Sequence, residues 1–423
     1  MTDKKLATDS YKGVRDFYPE DASIQQYIFD TWRKTAESFG FERYDASILE
    51  PAELYKSKGA ENEELVNEQT YTFTDRGERE VTLRPEMTPT VARMVAGKAR
   101  ELAFPLRWYS IPNLFRYERP QKGRLREHWQ FNCDIFGSDS IAADVEIVAL
   151  AYQTLINFGV KPEQFVILIN DRQMMERLYV AIGLTPEMIK SVTHLNDRKN
   201  KISEAEYKDS LNKITNDETL AEEVVMLLDK SDEQTDIVIG LEELGIANVI
   251  FDKSLARGFD YYTGTIFEVF ETDENGKPIG RAILGGGRYD NLTSMFGGEP
   301  ISGIGFGMGD VALCDLLEKN NLININSLMK STIVTVIPEM SEQNLFAETI
   351  AKQIRELGIS VSTDIGTQKP EKKKARASDR GSTFIIVVGE KEIESGNLTV
   401  KNLLTGEEKT GKISDLMTFL KAK

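Results

Sequence analysis

The segment FRYERPQKGRLREHWQ places Arg116, Arg119, Lys122, Arg124 and Arg126 within eleven residues, with Gly123 in their midst. Two strands joined by a basic loop would aim several guanidinium groups at one site, and the planar fork of arginine suits phosphate oxygens. A triphosphate or a nucleic-acid backbone fits such a cluster, and a solvated charged hairpin is the competing reading. A second segment, LARGFDYYTGTIFEVF, sets Arg257 in a turn ahead of a strand that opens with Tyr261 and Tyr262. Strand alternation sends consecutive rings to opposite faces, so a regular strand presents one tyrosine to a pocket and packs the other. A third stretch, AILGGGRYDNL followed by GGEPISGIGFGMGD, holds three consecutive glycines and then glycines at 303, 305, 307 and 309. The first run lets a backbone approach a ligand or another strand closely, and the spaced run predicts a helix packed tightly at its start. The sequence contains neither a dinucleotide-binding G-x-G-x-x-G after a strand nor a G-x-x-x-x-G-K-[ST] phosphate loop, so any ATP must be held in another way.

These residues need elements to position them. Ile24, Tyr27, Ile28, Trp32, Ala36 and Phe39 recur at three- and four-residue steps before Gly40, which predicts an amphipathic helix over 21–39. Tyr71–Thr74, Glu80–Leu83, Leu106–Ile111 and Gln130–Phe136 are short, aromatic or β-branched, and separated by turn residues, as in an antiparallel sheet. A helix over Ala143–Phe158 and a strand over Phe165–Ile169 follow. From Arg172 to Asn248 the pattern turns helical and charged, and strand-like sequence resumes at Val249–Phe251 and Gly264–Phe270. A helical insertion within a sheet domain accounts for this. NNLININSLMKS, from Asn320, reads as a linker. Beyond it, apolar runs at 332–337 and 383–388 flank a helical pattern at Phe346, Ile350, Ile354 and Leu357, as in a small α/β domain with a mainly parallel sheet. The domain boundaries are therefore placed at 1–325, with the insertion at about 172–248, and 331–423.

Composition narrows the class. At 423 residues the chain exceeds one ordinary core. Hydrophobic residues at 40% and charged residues at 28% suit a soluble globular protein. No apolar run nears the ~20 residues of a membrane span, and MTDKKLATDS lacks the apolar stretch of a signal peptide, so a cytoplasmic location is expected. Cys133 and Cys314 alone exclude a disulfide framework, and with only two histidines a zinc site is not expected. Cys133 reads as a packed small residue and His194 as a surface one. A net charge of -16 argues against a general nucleic-acid or DNA binder. Residues 331–423, however, hold 14 basic and 13 acidic side chains, against 38 and 55 before them, which marks the last segment as a separate module.

Together these stretches resemble the histidyl-tRNA synthetase family, in order and over nearly the whole chain. KGVRDFYPED (12–21) is similar to the family's opening segment, ILEPAELY (48–55) to motif 1 of class II synthetases, which builds a dimer interface, and LRPEMTPTVARM (83–94) to a histidine-binding segment. FRYERPQKGRLREHWQFNCDIFG (115–137) resembles motif 2, LARGFDYYTG (255–264) the histidine-specific motif, and KKKARASDRGSTFIIVVGEKEIESG the anticodon-binding domain. The resemblance implies an α+β fold: a class II antiparallel sheet with flanking helices and a helical insertion, plus a small C-terminal α/β anticodon-binding domain. It implies L-histidine, ATP with Mg2+, and tRNA(His) as substrates, a homodimer, and no tightly bound cofactor. It gives Glu86 and Thr88 the α-ammonium of histidine, with Met87 between them, and Gln130 and Asp134 the amino acid, Asp134 accepting from an imidazole nitrogen. Tyr262 meets the other ring nitrogen with Tyr261 nearby. Arg116 and Arg257 are the catalytic cations at the α-phosphate; Glu118, Arg124, Arg126 and His128 line the nucleotide side. Gln121, at a loop tip, and Lys372, Lys373 and Lys374 are implied tRNA contacts, the lysines having a solvated face as the simpler alternative.

Two positions depart from the family pattern. His128 stands where many members have a phenylalanine that stacks on adenine. Asp310, Val311 and Ala312 open the motif 3 helix where an arginine is usual, so either Arg124, Arg126 or Arg288 is expected to compensate or nucleotide affinity to be reduced. A histidine-sensing regulatory paralogue of ATP phosphoribosyltransferase type is the alternative function, and a synthetase-like domain of stress kinases a more remote one. Such regulatory subunits lack the anticodon-binding domain and have eroded Arg257-type motifs, both of which this chain retains.

Overall fold

A computed structural model of the chain describes residues 6–56, 69–121, 123–199, 202–229, 234–256, 261–328 and 333–421. The chain folds into two compact units, Met1–Ile325 and Asn326–Lys423.

The first unit is built on a sheet whose strands run β1 (Glu42–Arg43), β5 (Leu106–Ser110), β7 (Glu127–Phe136), β12 (Gly303–Gly309), β11 (Pro278–Arg288), β10 (Thr265–Thr272), β8 (Phe165–Asp171) and β9 (Val249–Phe251), with β6 (Asn113–Phe115) paired to the outer part of β7. The six central strands pair antiparallel, and the two edge pairings, β1 with β5 and β8 with β9, are parallel. Strands β2 (Leu49–Pro51), β3 (Tyr71–Thr74) and β4 (Glu80–Leu83) form a separate antiparallel sheet, so the strands expected at 71–74 and 80–83 do not join the main one. The sequence Glu-His-Trp-Gln-Phe-Asn-Cys-Asp-Ile-Phe of β7 shows how the faces are chosen. Phe131, Cys133 and Ile135 enter an apolar core, while Gln130 and Asn132, between them, line a pocket on the other face. The period of two leaves no other choice once the apolar set is buried.

Helices α1 (Pro19–Ser38), α4 (Ile141–Asn157), α9 (Asp236–Glu243) and α10 (Asp310–Lys319) contribute to the core on the Phe131 face. Trp32 of α1 is completely buried there, stacked on Phe131 with ring centroids 5.5 Å apart. The short α2 (Glu53–Lys56) and the longer α3 (Thr88–Lys98) lie with the smaller cluster that holds Met87, Val91, Tyr262 and Tyr289. Helices α5 (Arg172–Ala181), α6 (Pro186–Asp197), α7 (Glu204–Thr215) and α8 (Glu218–Asp229) share a cluster of their own around Val192, Leu211 and Val224. Packing thus divides the helical stretch of 172–248: α9 buries Ile237, Val238 and Leu241 in the sheet core instead. Helical periodicity is the same in both parts, and only the surface each apolar face meets separates them. None of the described helices is long and apolar enough to cross a membrane.

After the short α11 (Ile325–Leu328), the second unit has a sheet of order β14 (Val361–Thr363), β13 (Val334–Pro338), β15 (Phe384–Val388), β16 (Leu398–Asn402), β17 (Glu408–Gly411). Helices α12 (Asn344–Arg355), α13 (Pro370–Asp379), α14 (Glu390–Ser395) and α15 (Ile413–Lys421) accompany it. The first three strands are parallel; β16 returns antiparallel to β15 after α14, and a tight turn around Gly406 brings β17 back antiparallel to β16. The sheet is mixed rather than mainly parallel.

Candidate active site

Glycine makes room for the pocket. The run at 303–309 is not the start of a helix but strand β12, and α10 begins only at Asp310. In a strand, glycines two apart share a face, so removing their side chains carves a trough instead of freeing a helix. A Cβ on Gly305 would meet the Asp134 carboxylate and stand 2.6 Å from the Cys133 carbonyl oxygen, and one on Gly307 would meet the Gln130 amide. Next door, a Cβ on Gly287 of β11 would stand 2.7 Å from Cδ1 of Tyr262.

Into this trough the fold brings Glu86, Thr88, Arg116, Gln130, Tyr261 and Tyr262, six side chains from four separate stretches of sequence. The tyrosines precede β10 in a turn, outside any regular strand, so alternation does not apply and both rings line the pocket, their centroids 4.8 Å apart. Tyr261 Oη donates to Glu86 Oε2 at 3.2 Å. Arg116 is anchored through Nε, which donates to the Pro85 carbonyl at 2.8 Å, so its outer nitrogens remain directed by a fixed stem. Asp134 lies on the floor, 2 % exposed, and accepts from the Tyr289 hydroxyl. Burial pushes its carboxyl up to about 7, with the Tyr289 and Tyr44 hydroxyls holding it from going higher. Two lining side chains are not singled out by the sequence. Asn132 stands between Gln130 and Asp134 at strand spacing, a signal that could have flagged it; Tyr289 follows the three glycines, and nothing local marks it as the partner of Asp134.

Beyond the pocket lies a cationic rim. The backbone groups of Gln121 and Arg124 exchange hydrogen bonds of 3.0 and 2.9 Å across Gly123, which closes the loop. Arg124 pairs with Glu118 at 2.9 Å. His128 is held down to about 3 by burial first, then by Arg116, Arg15 and Arg124, so at neutral pH it is an uncharged ring among cations. Such a ring can stack on a base without adding charge.

Several expected residues lie elsewhere. Met87 is completely buried in the cluster beside α3 and does not line the pocket. Arg126 is occupied: Nε donates to the Glu118 carbonyl at 3.1 Å, Nη1 to the Tyr11 hydroxyl at 3.1 Å, and the guanidinium lies 4.0 Å over the Tyr117 ring. Arg288 is no substitute for a motif 3 arginine, because it is buried against Asp144 and donates to the Ser138 carbonyl at 2.9 Å. At the start of α10, Asp310 accepts from Arg15 at 2.6 Å and from the Trp129 amide at 3.0 Å. Burial raises the Asp310 carboxyl, and Arg15 pulls it back. In the second unit Lys372 is exposed, but Lys373 is 3 % exposed and donates to the Pro338 carbonyl at 2.9 Å, so the three lysines do not form one face. Cys133 is buried and His194 exposed. Arg257 and Lys122 lie outside the described residues. Among those described, no group of three His, Cys, Asp or Glu side chains could hold a metal.

The family described as Histidyl-tRNA synthetase matches residues 13–313, and that described as Anticodon binding domain matches residues 332–423. Histidine–tRNA ligase of Leptospira biflexa is 40% identical over 441 aligned positions, covering 100% of this chain and 99% of that protein. Its counterpart in Thermoplasma volcanium is 38% identical over 98% of this chain and 99% of its own. Among solved structures, histidyl-tRNA synthetase from Nostoc sp. superposes with a TM-score of 0.77 over 99% of both chains at 24% identity, which speaks for the fold.

Proposed function

The chain belongs to the histidyl-tRNA synthetase family, and from that premise we propose how its pocket activates histidine with ATP and passes it to the 3′ end of tRNA(His). Glu86 and Thr88 take the α-ammonium, since a carboxylate and a hydroxyl offer acceptors to a cation. Asp134 accepts from one imidazole nitrogen and Tyr262 meets the other, with Gln130 over the amino acid.

The carboxylate of histidine attacks the α-phosphorus, pyrophosphate leaves, and histidyl-adenylate remains. Arg116 on one side and Arg257 on the other meet the charge that grows on the phosphoryl oxygens; fixed cations aimed at that charge are worth about 10²–10³ in rate each. Glu118 and Arg124 line the nucleotide and His128 stacks on adenine; Mg2+ would accompany ATP as part of the substrate and offset its phosphate charge, and Glu118 is the nearby carboxylate that would meet it. A terminal ribose hydroxyl of tRNA then attacks the activated carbonyl and AMP leaves. Gln121 at the loop tip meets the acceptor end, and residues 332–423 read the tRNA. Motif 1, at 48–55, supports a homodimer, and the cytoplasm is the compartment where these substrates meet.

The observation that carries this reading is the gathering of Glu86, Thr88, Arg116, Gln130, Tyr261 and Tyr262 over a buried Asp134. A histidine-sensing regulatory role is disfavoured by the match of residues 332–423 to an anticodon-binding domain. Pyrophosphate exchange into ATP, measured with each standard amino acid in turn, tests the assignment. Histidine alone should support exchange; silence with histidine, or equal exchange with another amino acid, refutes it.

A further inference from the structure

Arg281 has no role in the reading so far. Strand β11 is irregular just where it stands: Val269 of β10 faces Leu284, yet Glu271 faces Ile279. Gly280, inside that irregularity, has φ +72°, a conformation that a side chain would strain. Such bulges re-aim the neighbouring side chain, and here the Arg281 stem reaches the tip of the loop between β6 and β7. Its Cδ lies 4.0 Å from where a Cβ on Gly123 would stand. No hydrogen bond or ion pair ties Arg281 to a described residue.

The local charge does not balance. Arg124 pairs with Glu118 at 2.9 Å, and Arg281 adds a second guanidinium beside the same carboxylate. Arg281 is exposed, and the little desolvation it has and the neighbouring Arg124 both work against its charge, with Glu118 compensating in part. Among the described residues the start of α10 offers no free cation, because Asp310 occupies it and is itself paired with Arg15. Two guanidinium groups set beside one carboxylate gain most from a ligand with several adjacent anionic oxygens.

Resting on the nucleotide reading above, we propose that Arg281 is a further ATP-binding residue, which with Arg124 clamps the outer phosphates while Arg116 holds the inner one. A single-stranded RNA end is the other polyanion in the reaction. The outer phosphates are favoured because Glu118 and Arg124, the neighbours of Arg281, connect through the loop to Arg116 at the pocket.

The test compares Arg281→Ala and Arg281→Lys with the parent chain in equilibrium binding of ATP and of AMP, and in pyrophosphate exchange. Arg281→Ala should weaken ATP binding about ten-fold, leave AMP binding and the KM for histidine within about two-fold, and recover partly with lysine. Equal loss of ATP and AMP binding, or a loss that tracks a lowered Tm, overturns the placement. So does unchanged exchange accompanied by a raised KM for tRNA, which would assign Arg281 to the acceptor end. If the parent chain binds ATP but exchanges no pyrophosphate, the ligase reading fails while the ATP-against-AMP comparison still judges Arg281.

Discussion

Asp134 is a carboxyl that burial holds far from its ordinary range. Its carboxyl, ordinarily near 3.8, is pushed up to about 7 by burial, and the Tyr289 hydroxyl is its main relief. Below pH 3.8 it is protonated whether the chain is folded or not. Between 3.8 and about 7 the unfolded chain releases the proton and the folded one keeps it, so stability falls as pH rises through that window and stays lowered above it. Asp134→Asn removes this penalty and still accepts from Tyr289. Its gain in Tm over the parent should therefore be larger at pH 8 than at pH 4, while histidine-dependent exchange is lost. A gain of the same size at both values would contradict the shift. Strand alternation alone puts Asp134 and Gln130 on one face, and that much is legible in the sequence. The hydroxyl of Tyr289, on another strand, is not, because nothing near it in sequence speaks of a carboxylate 155 positions away.

At the level of elements, glycine is the material of the binding trough. The glycines of 303–309 predict the tight start of a helix, yet such spacing suits close packing in either geometry, and only the ladder with β7 fixes the period as two. Gly305→Ala places a methyl 2.6 Å from the Cys133 carbonyl and against the Asp134 carboxylate. Backbone on the neighbouring strand cannot retreat cheaply, so a cost of about 1–3 kcal/mol is expected, together with a raised KM for histidine. Gly307→Ala meets only the flexible Gln130 amide and should cost less stability. Thermal unfolding of both variants checks the order, and a reversed order would mean that β12 is not packed as described. The tyrosine pair makes a similar point: a turn ahead of β10 frees both rings to face the pocket, where a regular strand would have spent one on packing.

For the whole molecule, division of labour between the two units makes separable predictions. The chain carries a net charge of -16, yet its last segment is nearly balanced, and α13 presents Lys372 to solvent. Replacing Lys372 and Lys374 together by glutamate should raise the KM for tRNA and leave pyrophosphate exchange unchanged, as loss of phosphate contacts requires. Equal loss of both activities would remove α13 from the tRNA surface. Lys373 behaves differently. Its ammonium is spent on the Pro338 carbonyl in a buried setting, so Lys373→Ala should lower stability by about 1–3 kcal/mol. If that variant unfolds like the parent and only tRNA binding suffers, the buried contact is wrong.

The residues themselves determined the family, the order of the chemical segments and the pairing of Gln130 with Asp134 on one strand face, because those features are written in local spacing. They did not determine which arginines are free. Arg116, Arg126 and Arg288 look alike in sequence, and the fold anchors one at the pocket, stacks one on Tyr117 and buries one against Asp144. That decision belongs to tertiary structure because a guanidinium's role is fixed by the carboxylate, carbonyl or ring it meets, and those partners come from segments up to about 150 residues away.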